Sequence, residues 1–192
     1  MAQANYNDMA HKILDAAEAL TQTRGFNAFS YKDIQAEVGV KTSSIHYYFP
    51  TKQELASAMA QRYVERFLEA LETINREHAS PLQRIRQADV IFVDVARKSR
   101  LCLCGMLTSD LLSMPDMAAE QLRFFFNESE AWLSKHIQAA AEAGEIRKDV
   151  DPNRLAAHLL ATWEGGALVA RMRPSDSYME DLLETSLALL TG

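Results

Sequence analysis

A short segment near the N-terminus, residues 42–48 with the sequence TSSIHYY, is rich in side chains that donate hydrogen bonds without carrying a full charge. On a helix, Ile45 and Phe49 stand four residues apart and share one face, with Ser43 and Tyr47 on the opposite face. Hydroxyl, imidazole and phenol groups donate to phosphate oxygens and reach the edges of bases. A face that is only solvated typically carries Glu, Lys and Gln, so this composition favours contact with a nucleic acid.

Two neighbouring helix starts add to this chemistry. Lys52 opens the following helix, and Ser30 and Lys32 lie at the start of the preceding one. The N–H groups and the positive dipole end of a helix N-terminus attract phosphate, and a nearby lysine strengthens that attraction. One alternative stays open at this point: the two adjacent tyrosines pack as half-buried aromatics and His46 covers the core.

Two short helices separated by a turn must position these groups. Ser30 caps the first, which ends at Gly39, and Thr42, Ser43 or Ser44 caps the second. This is the pattern of a helix-turn-helix, whose second helix lies in the major groove of DNA. Because apolar residues recur at helical spacing almost throughout, without an Asn-Gly or Asp-Gly hairpin signal, the sequence predicts an all-α fold.

Capping residues divide the chain into about nine helices. The first runs from about Asn7 to Arg24 and stops at Gly25, and the fourth opens at Thr51 with Glu54 at the capping-box position. The later helices are expected from Ser80-Pro81, over 101–112, from Pro115 to Gly144, from Asp151-Pro152, and from about Ser175 to Leu190. The predicted domains are a three-helix helix-turn-helix domain at residues 1–53 and a larger helical body at residues 54–192.

Composition limits the compartment and the partners. The chain has 192 residues, 48% of them apolar, and a formal charge of −6. Binding to phosphates needs Lys and Arg, yet residues 1–53 carry five basic and five acidic residues, so the negative charge lies beyond them. Without a signal-peptide pattern or an apolar run of membrane-spanning length, we expect a cytoplasmic protein and no membrane partner. Two cysteines make neither a disulfide framework nor a zinc site, and we expect no metal or cofactor.

The segment GVKTSSIHYYFPTKQEL, preceded by R-G-F, resembles the N-terminal domain of the TetR/AcrR family of repressors over roughly residues 8–60. The resemblance implies a homodimer formed by the last two helices, a palindromic double-stranded operator, and a small-molecule effector that binds between the central helices and releases the DNA. His46 stands where a tyrosine is commoner in the family, and Pro50 replaces a frequent basic residue. By position, the residues implied to touch the operator are Ser30, Lys32, Thr42, Ser43, Ser44, His46, Tyr47, Tyr48 and Lys52.

The body supplies candidates for an effector pocket and for a dimer interface. Its aromatic content exceeds what a minimal helical body needs, and the alternative is ordinary core packing. The glycine pair at 165–166 destabilises a helix, and close approach of two helices across a dimer would offset this cost. The alternative is that the pair allows a kink or packing within one chain. The pocket candidates are Phe92, Cys104, Leu107, Phe125, Trp132 and Trp163, and the interface candidates are Gly165, Gly166, Leu183 and Leu187.

Cys102 and Cys104 suggest competing functions. Arg97, Lys98 and Arg100 lie just upstream and are able to stabilise a thiolate, which would suit a redox- or electrophile-sensing regulator. A thiol-dependent enzyme is a weaker alternative, because no His or carboxylate lies near them in sequence, and a DNA-organising or ligand-carrying helical protein is a third. Buried cysteines as small apolar fillers remain the simplest interpretation. We expect a regulator and not an enzyme.

Overall fold

Helices follow the apolar periodicity of the sequence. The computed structural model describes residues 6–173 and 177–191, and within them it contains α-helices and no strand, which confirms the predicted all-α class. These described residues form nine α-helices, which are α1 Asp8–Arg24, α2 Tyr31–Val38, α3 Thr42–Tyr48, α4 Lys52–Glu77, α5 Pro81–Arg97, α6 Leu103–Ser109, α7 Asp116–Glu142, α8 Pro152–Ala170 and α9 Tyr178–Thr191. None of these described helices is both long and apolar enough to cross a membrane.

The helix ends lie close to the predicted capping residues. Asn7 caps α1 by accepting a hydrogen bond from the Ala10 N–H, and α4 is preceded by the expected reciprocal pair of Thr51 and Glu54. The sixth helix is shorter than expected and is followed by a separate 3-10 turn, Leu111–Ser113. The predicted start of the last helix, at Ser175, lies outside the described residues.

The chain divides into two compact units. The described part of the first comprises residues 6–64 and 103–122, and that of the second comprises residues 65–102, 123–173 and 177–191. The division within the fourth helix thus falls after residue 64, whereas the predicted domain boundary lies after residue 53. The reason is that the first turns of α4 belong to the core of the first unit, where Leu55 and Met59 are fully buried.

The core of the first unit is built from α1 to α4 together with α6, whose Leu103, Cys104 and Leu107 are fully buried. Ile13 and Leu14 of α1, Ile34 of α2, Ile45 of α3 and Leu55 of α4 are all fully buried. Gly25 ends α1 with φ of +97°, in the region that favours glycine. Burial of this apolar set is what fixes the short helices to one another.

The core of the second unit is aromatic. Phe92 stacks on Trp163 with ring centroids 4.5 Å apart, and Phe67 lies 4.8 Å from Phe125. The Trp163 indole N–H donates to Asp89 Oδ1 at 2.5 Å, so a carboxyl group is held within this cluster. Burial raises the pKa of Asp89 to about 7, against a lowering by the Trp163 hydrogen bond.

A second buried polar group in this unit is centred on Asn75. Its side-chain oxygen accepts from Trp132 Nε1 at 3.1 Å and from His136 Nε2 at 2.9 Å. Burial, followed by the charges of Arg84 and Lys135, lowers the pKa of His136 to about 4. The imidazole is therefore neutral at physiological pH, with Nε2 carrying the proton.

We expect the Asp89→Asn variant to be more stable than the wild type at pH 8, by roughly 2–4 kcal/mol. The folded-state pKa of Asp89 is raised above its unfolded value. The protonated carboxyl therefore contributes its full share to the free energy of unfolding of the wild type at low pH, and this contribution is lost as the pH rises through about 7. The measurement is urea unfolding at pH 5, 6, 7 and 8. Asp94→Asn on the exposed face of α5 is the control, and its difference from wild type should not change with pH. A pH-independent difference for Asp89→Asn would show that its carboxyl is not the titrating group.

Candidate nucleic-acid interface

The turn between α2 and α3 is set by one glycine and one glutamine. Gly39 adopts the left-handed conformation, with φ of +77°, and its N–H donates to the Gln35 carbonyl at 2.8 Å. The Thr42 N–H donates to Gln35 Oε1 at 3.2 Å. Lys41 is the N-cap residue of α3 and makes no side-chain cap, so the predicted capping by Thr42, Ser43 or Ser44 is wrong. All three hydroxyl residues lie in the first turn of the helix instead.

Helix α3 has one buried face and one exposed face, as the spacing predicts. Ile45 is 0% exposed and Phe49, directly after the helix, is 3% exposed, whereas Tyr47 is 81% exposed. Ser43 is exposed as well. The hydrogen-bonding side chains opposite Ile45 therefore project outwards from the first unit.

The end of α3 is held by Tyr31 of α2. Its hydroxyl donates to the Phe49 carbonyl at 2.7 Å, and burial, followed by the Glu54 carboxylate, raises the pKa of Tyr31 to about 12. The group thus stays protonated as a donor. Sequence reasoning missed this role, because only the folded chain brings residues 18 positions apart together.

The residues beside this face are partly used within the protein. Tyr48 is half-buried and its hydroxyl accepts from Asn7 Nδ2 at 2.9 Å, so the alternative of packed aromatics holds for Tyr48 but not for Tyr47. His46 Nδ1 lies 3.2 Å from the Pro50 carbonyl, and the ring is 4.6 Å from that of Tyr31. Because a carbonyl only accepts, Nδ1 is the donor in this contact, and in the neutral form of the ring Nε2 would then be the acceptor.

The predicted groups at the start of α2 behave differently from each other. Ser30 Oγ donates to Asp33 Oδ2 at 2.7 Å and its backbone N–H donates to the same oxygen at 2.8 Å. These two bonds lower the pKa of Asp33. Ser30 is thus part of a capping box, while Lys32, next to it, has an exposed side chain.

Lys52 points into the protein. Its ammonium donates to the carbonyls of Phe26 and Phe29 at 2.5 and 2.6 Å, and lies 4.5 and 4.3 Å from the centroids of the same two rings. Burial lowers the pKa of Lys52, and the Asp110 carboxylate opposes this. A lysine directed at carbonyls and aromatic faces joins the start of α4 to the turn before α2. This placement differs from the outward-facing ammonium that phosphate binding calls for.

A short helix with an outward hydrogen-bonding face, fixed by a glycine turn to a preceding helix, defines a helix-turn-helix DNA-binding protein. Residues 13–59 match the family described as bacterial regulatory proteins, tetR family, and residues 81–185 match the tetracyclin repressor-like C-terminal domain. The chain belongs to the TetR family of transcriptional regulators, whose members and relatives are DNA-binding regulators and not enzymes.

Similar proteins agree with this family. The HTH-type transcriptional repressor DhaR of Mycobacterium sp. strain GP1 is 24% identical over 169 residues, which cover 85% of each chain. A TetR-family regulator from Agrobacterium tumefaciens shares the fold with a TM-score of 0.89 at 24% identity, over 96% of this chain and 98% of that one. A TetR regulator from Legionella pneumophila has a TM-score of 0.83 at 29% identity, over 97% and 99% of the two chains.

The predicted pocket residues lie in different places. Phe92, Phe125 and Trp163 are buried in the aromatic core of the second unit, and Trp132 is bonded to Asn75. Cys104 and Leu107 are fully buried within the first unit. A cavity of about 500 Å³ in the second unit is lined by none of these six residues.

Three of the four predicted interface residues are buried inside their own chain. Leu183 and Leu187 belong to the core, and a Cβ at Gly166 would lie 2.6 Å from Leu182 Cδ2 and 3.0 Å from Met179 Sδ. The expected close approach of helices at this glycine therefore occurs between α8 and α9 of one chain. This corrects the placement of Gly166, Leu183 and Leu187 on a surface between protomers. Gly165 is exposed, with nothing within 4 Å of a Cβ placed there.

Both cysteines are buried, and they form no disulfide. Cys102 forms a side-chain hydrogen bond with Glu164, and burial, followed by Cys102, raises the pKa of Glu164 well above its usual range. The acidic partner contrasts with the basic environment expected from Arg97, Lys98 and Arg100. In the described part of the chain no group of three or more His, Cys, Asp and Glu side chains is arranged to hold a metal.

We expect Lys52→Met to lower the free energy of unfolding by about 1–3 kcal/mol, because two buried carbonyls lose their donor. If Lys52 binds no phosphate, the slope of log K against log salt for a random-sequence DNA duplex stays at the wild-type value. Lys32→Met is the matched control. It should leave stability unchanged and reduce the magnitude of that slope by about 0.9 for each protomer whose Lys32 contacts a phosphate. A reduced slope for Lys52→Met without loss of stability would restore Lys52 as a phosphate contact.

Proposed function

We propose that the protein is a homodimeric repressor that acts in the cytoplasm, binds a palindromic operator through α3 and is released by a small-molecule effector. Helix α3 lies in the major groove, and its partner copy reads a second half-site about 34 Å away along the duplex, or a near multiple of that distance. The relative DhaR is described as a transcriptional repressor, which supports repression over activation.

The observation that carries the proposal is the two-sided character of α3. Ile45 and Phe49 bury one side, while Tyr47 presents a phenol and Ser43 a hydroxyl on the other. Both donate to phosphate oxygens or base edges, and both are short enough to do so from within the groove. Thr42, Ser44 and Lys32 flank this face and supply phosphate contacts in the proposal, whereas Ser30 and Tyr48 are bonded within the protein.

The contact of His46 within the protein indicates which of its ring nitrogens faces a base. Its Nδ1–H is directed to the Pro50 carbonyl, so in its neutral form the ring offers an acceptor at Nε2. In the major groove, the exocyclic amino groups of adenine and cytosine are the donors that such an acceptor pairs with. We therefore assign His46 to a base with an exposed amino group.

Support for the dimer comes from a stripe at the C-terminal end of α8 and in the turn that follows it. Gly165, Leu168 and Val169 of α8 and Met172 of the turn follow one another at helical spacing and are all exposed, Leu168 at 59% and Met172 at 83%. Leu189 of α9 is exposed too. Apolar side chains in a continuous stripe are typical of a surface covered by another protein, and an identical stripe on a second copy is self-complementary.

The operator is to be selected in vitro from a random-sequence duplex library with the full-length wild-type protein. We expect a palindromic consensus, and roughly tenfold weaker binding to it by Tyr47→Phe, because each protomer loses one hydrogen bond in the groove. Tyr178→Phe in the second unit is the control and should bind like the wild type. Selection of no consensus, or equal affinity of Tyr47→Phe and wild type, would remove α3 as the element that reads DNA.

We expect Leu168→Glu to convert the dimer into monomers, because the carboxylates would face an apolar partner surface. Sedimentation velocity measures the change, and thermal unfolding checks that the chain still folds. Glu184→Gln, at an exposed position on α9, is the control. A Leu168→Glu protein that sediments like the wild type would place the interface elsewhere.

A further inference from the structure

One end of the second unit contains a cavity of about 500 Å³, lined by the C-terminal ends of α5 and α8, the residues after α8 and the start of α9. This volume is in the usual range for a small-molecule site. Its wall is apolar on the helix side, where Val93, Ala167 and Met179 are buried. The cavity therefore offers a surface for a short carbon skeleton.

The polar part of the wall is strongly basic. Arg97, Arg100, Arg171 and Arg173 line the cavity, with Glu180 as the one carboxylate among the described lining residues. The chain as a whole carries a formal charge of −6, so a cluster of four guanidinium groups runs against its overall composition. Guanidinium groups are the side chains best suited to bind carboxylate and phosphate oxygens.

Glu180 supplies a second, independent feature. Its Oε1 pairs with Arg97 Nη2 at 2.6 Å, while its Oε2 is buried and accepts no hydrogen bond. A buried carboxylate oxygen without a donor is costly unless another group satisfies it. A hydroxyl or N–H of a bound molecule would be such a donor.

The backbone of this wall is strained. Ser99, between Arg97 and Arg100, has φ of +55°, and it is the one non-glycine residue with positive φ in the described part of the chain. The Arg100 N–H closes the turn by donating to the Val95 carbonyl at 3.1 Å. Residues in this conformation cost free energy and cluster at binding sites. The turn places Ser99 and Arg100 on the cavity wall at that cost.

We propose that this cavity binds a small organic anion, a carboxylate or phosphate ester with a short carbon chain and a hydroxyl group, and that this anion is the effector. The arginines bind the oxyanion, the carbon chain lies against Val93 and Met179, and the hydroxyl donates to Glu180 Oε2. The effector role rests on the proposed function, whereas the binding itself does not. The site differs from the aromatic cluster of Phe92, Phe125 and Trp163 that the sequence suggested.

Isothermal titration calorimetry on the full-length protein tests the binding, with hexanoate, 2-hydroxyhexanoate, hexyl phosphate and hexanamide as probes. We expect at least one oxyanion probe to bind, and hexanamide to bind at least tenfold more weakly than the best oxyanion probe, because it lacks the charge. The affinities of hexanoate and hexyl phosphate decide which oxyanion is preferred. 2-Hydroxyhexanoate should bind several-fold more tightly than hexanoate, and equal affinity would remove Glu180 Oε2 from the site.

Variants locate the site. Arg100→Gln and Arg173→Gln should each weaken the best oxyanion probe at least tenfold, whereas Arg154→Gln, at the exposed start of α8 outside the cavity, should not. Thermal unfolding identifies any variant that fails to fold, and the other cavity variant then decides. No binding by any oxyanion probe, equal binding of hexanamide and the best oxyanion probe, or an equal effect of Arg154→Gln overturns the site.

The effector role has a separate measurement. The best probe should weaken binding to the selected operator at least tenfold in wild type and not in Arg100→Gln. Binding of the probe without any effect on operator affinity would leave the anion site standing and overturn its role as effector site. If no operator can be selected, the proposed function fails while the calorimetric result still decides the site.

Discussion

The structure depends first on the burial of two side chains of one very short element. A helix of seven residues does not persist alone in water, because too few hydrogen bonds offset the cost of its nucleus. Ile45 and Phe49 supply what α3 lacks, since burial of each contributes about 1.5–3 kcal/mol. The surface proposed to contact DNA is therefore a by-product of core packing, because whatever lies opposite these two residues is exposed.

Polar groups then fix the details that apolar packing leaves open. Tyr31 holds the end of α3, Gln35 holds its start, and Lys52 joins the next helix to the turn before α2. In the second unit, Asp89 and Asn75 play a similar part within an aromatic core. Apart from the exposed Gln35 bond, these donors and acceptors are paired in poorly solvated places, where leaving them unpaired is costly. Such pairs specify one arrangement among the many that would bury the same apolar area.

Whether a feature of the fold or of the site could be predicted from the sequence depends on how far apart in the chain the interacting residues lie. The all-α class, the helix ends at Asn7 and Thr51, and the two faces of α3 depend on residues a few positions apart, and the sequence was sufficient for them. The Lys52 and Tyr48 contacts join residues more than 20 positions apart, which periodicity does not encode. Gly166 was expected to allow close helix approach, and it does, but the sequence contains no information on which helix is the neighbour. The arginines around the cavity are scattered over 97–173, so no local motif marks them.

Residues 103–122 belong to the first unit, and this limits how such proteins evolve. The chain returns to the first unit at these residues after passing through residues 65–102 of the second. The side chain of Met106 lies 3.6 Å from the position that a Cβ atom on Gly25 would occupy. The N-terminal segment of the first unit, residues 6–64, is thus not a domain that can be exchanged on its own. Recombination that joined the first 60 residues of one relative to the remainder of another would pair α1 with a foreign α6. If the proposed function holds, operator preference and the rest of the chain are therefore expected to be inherited together, diverging by point substitution and not by exchange of modules.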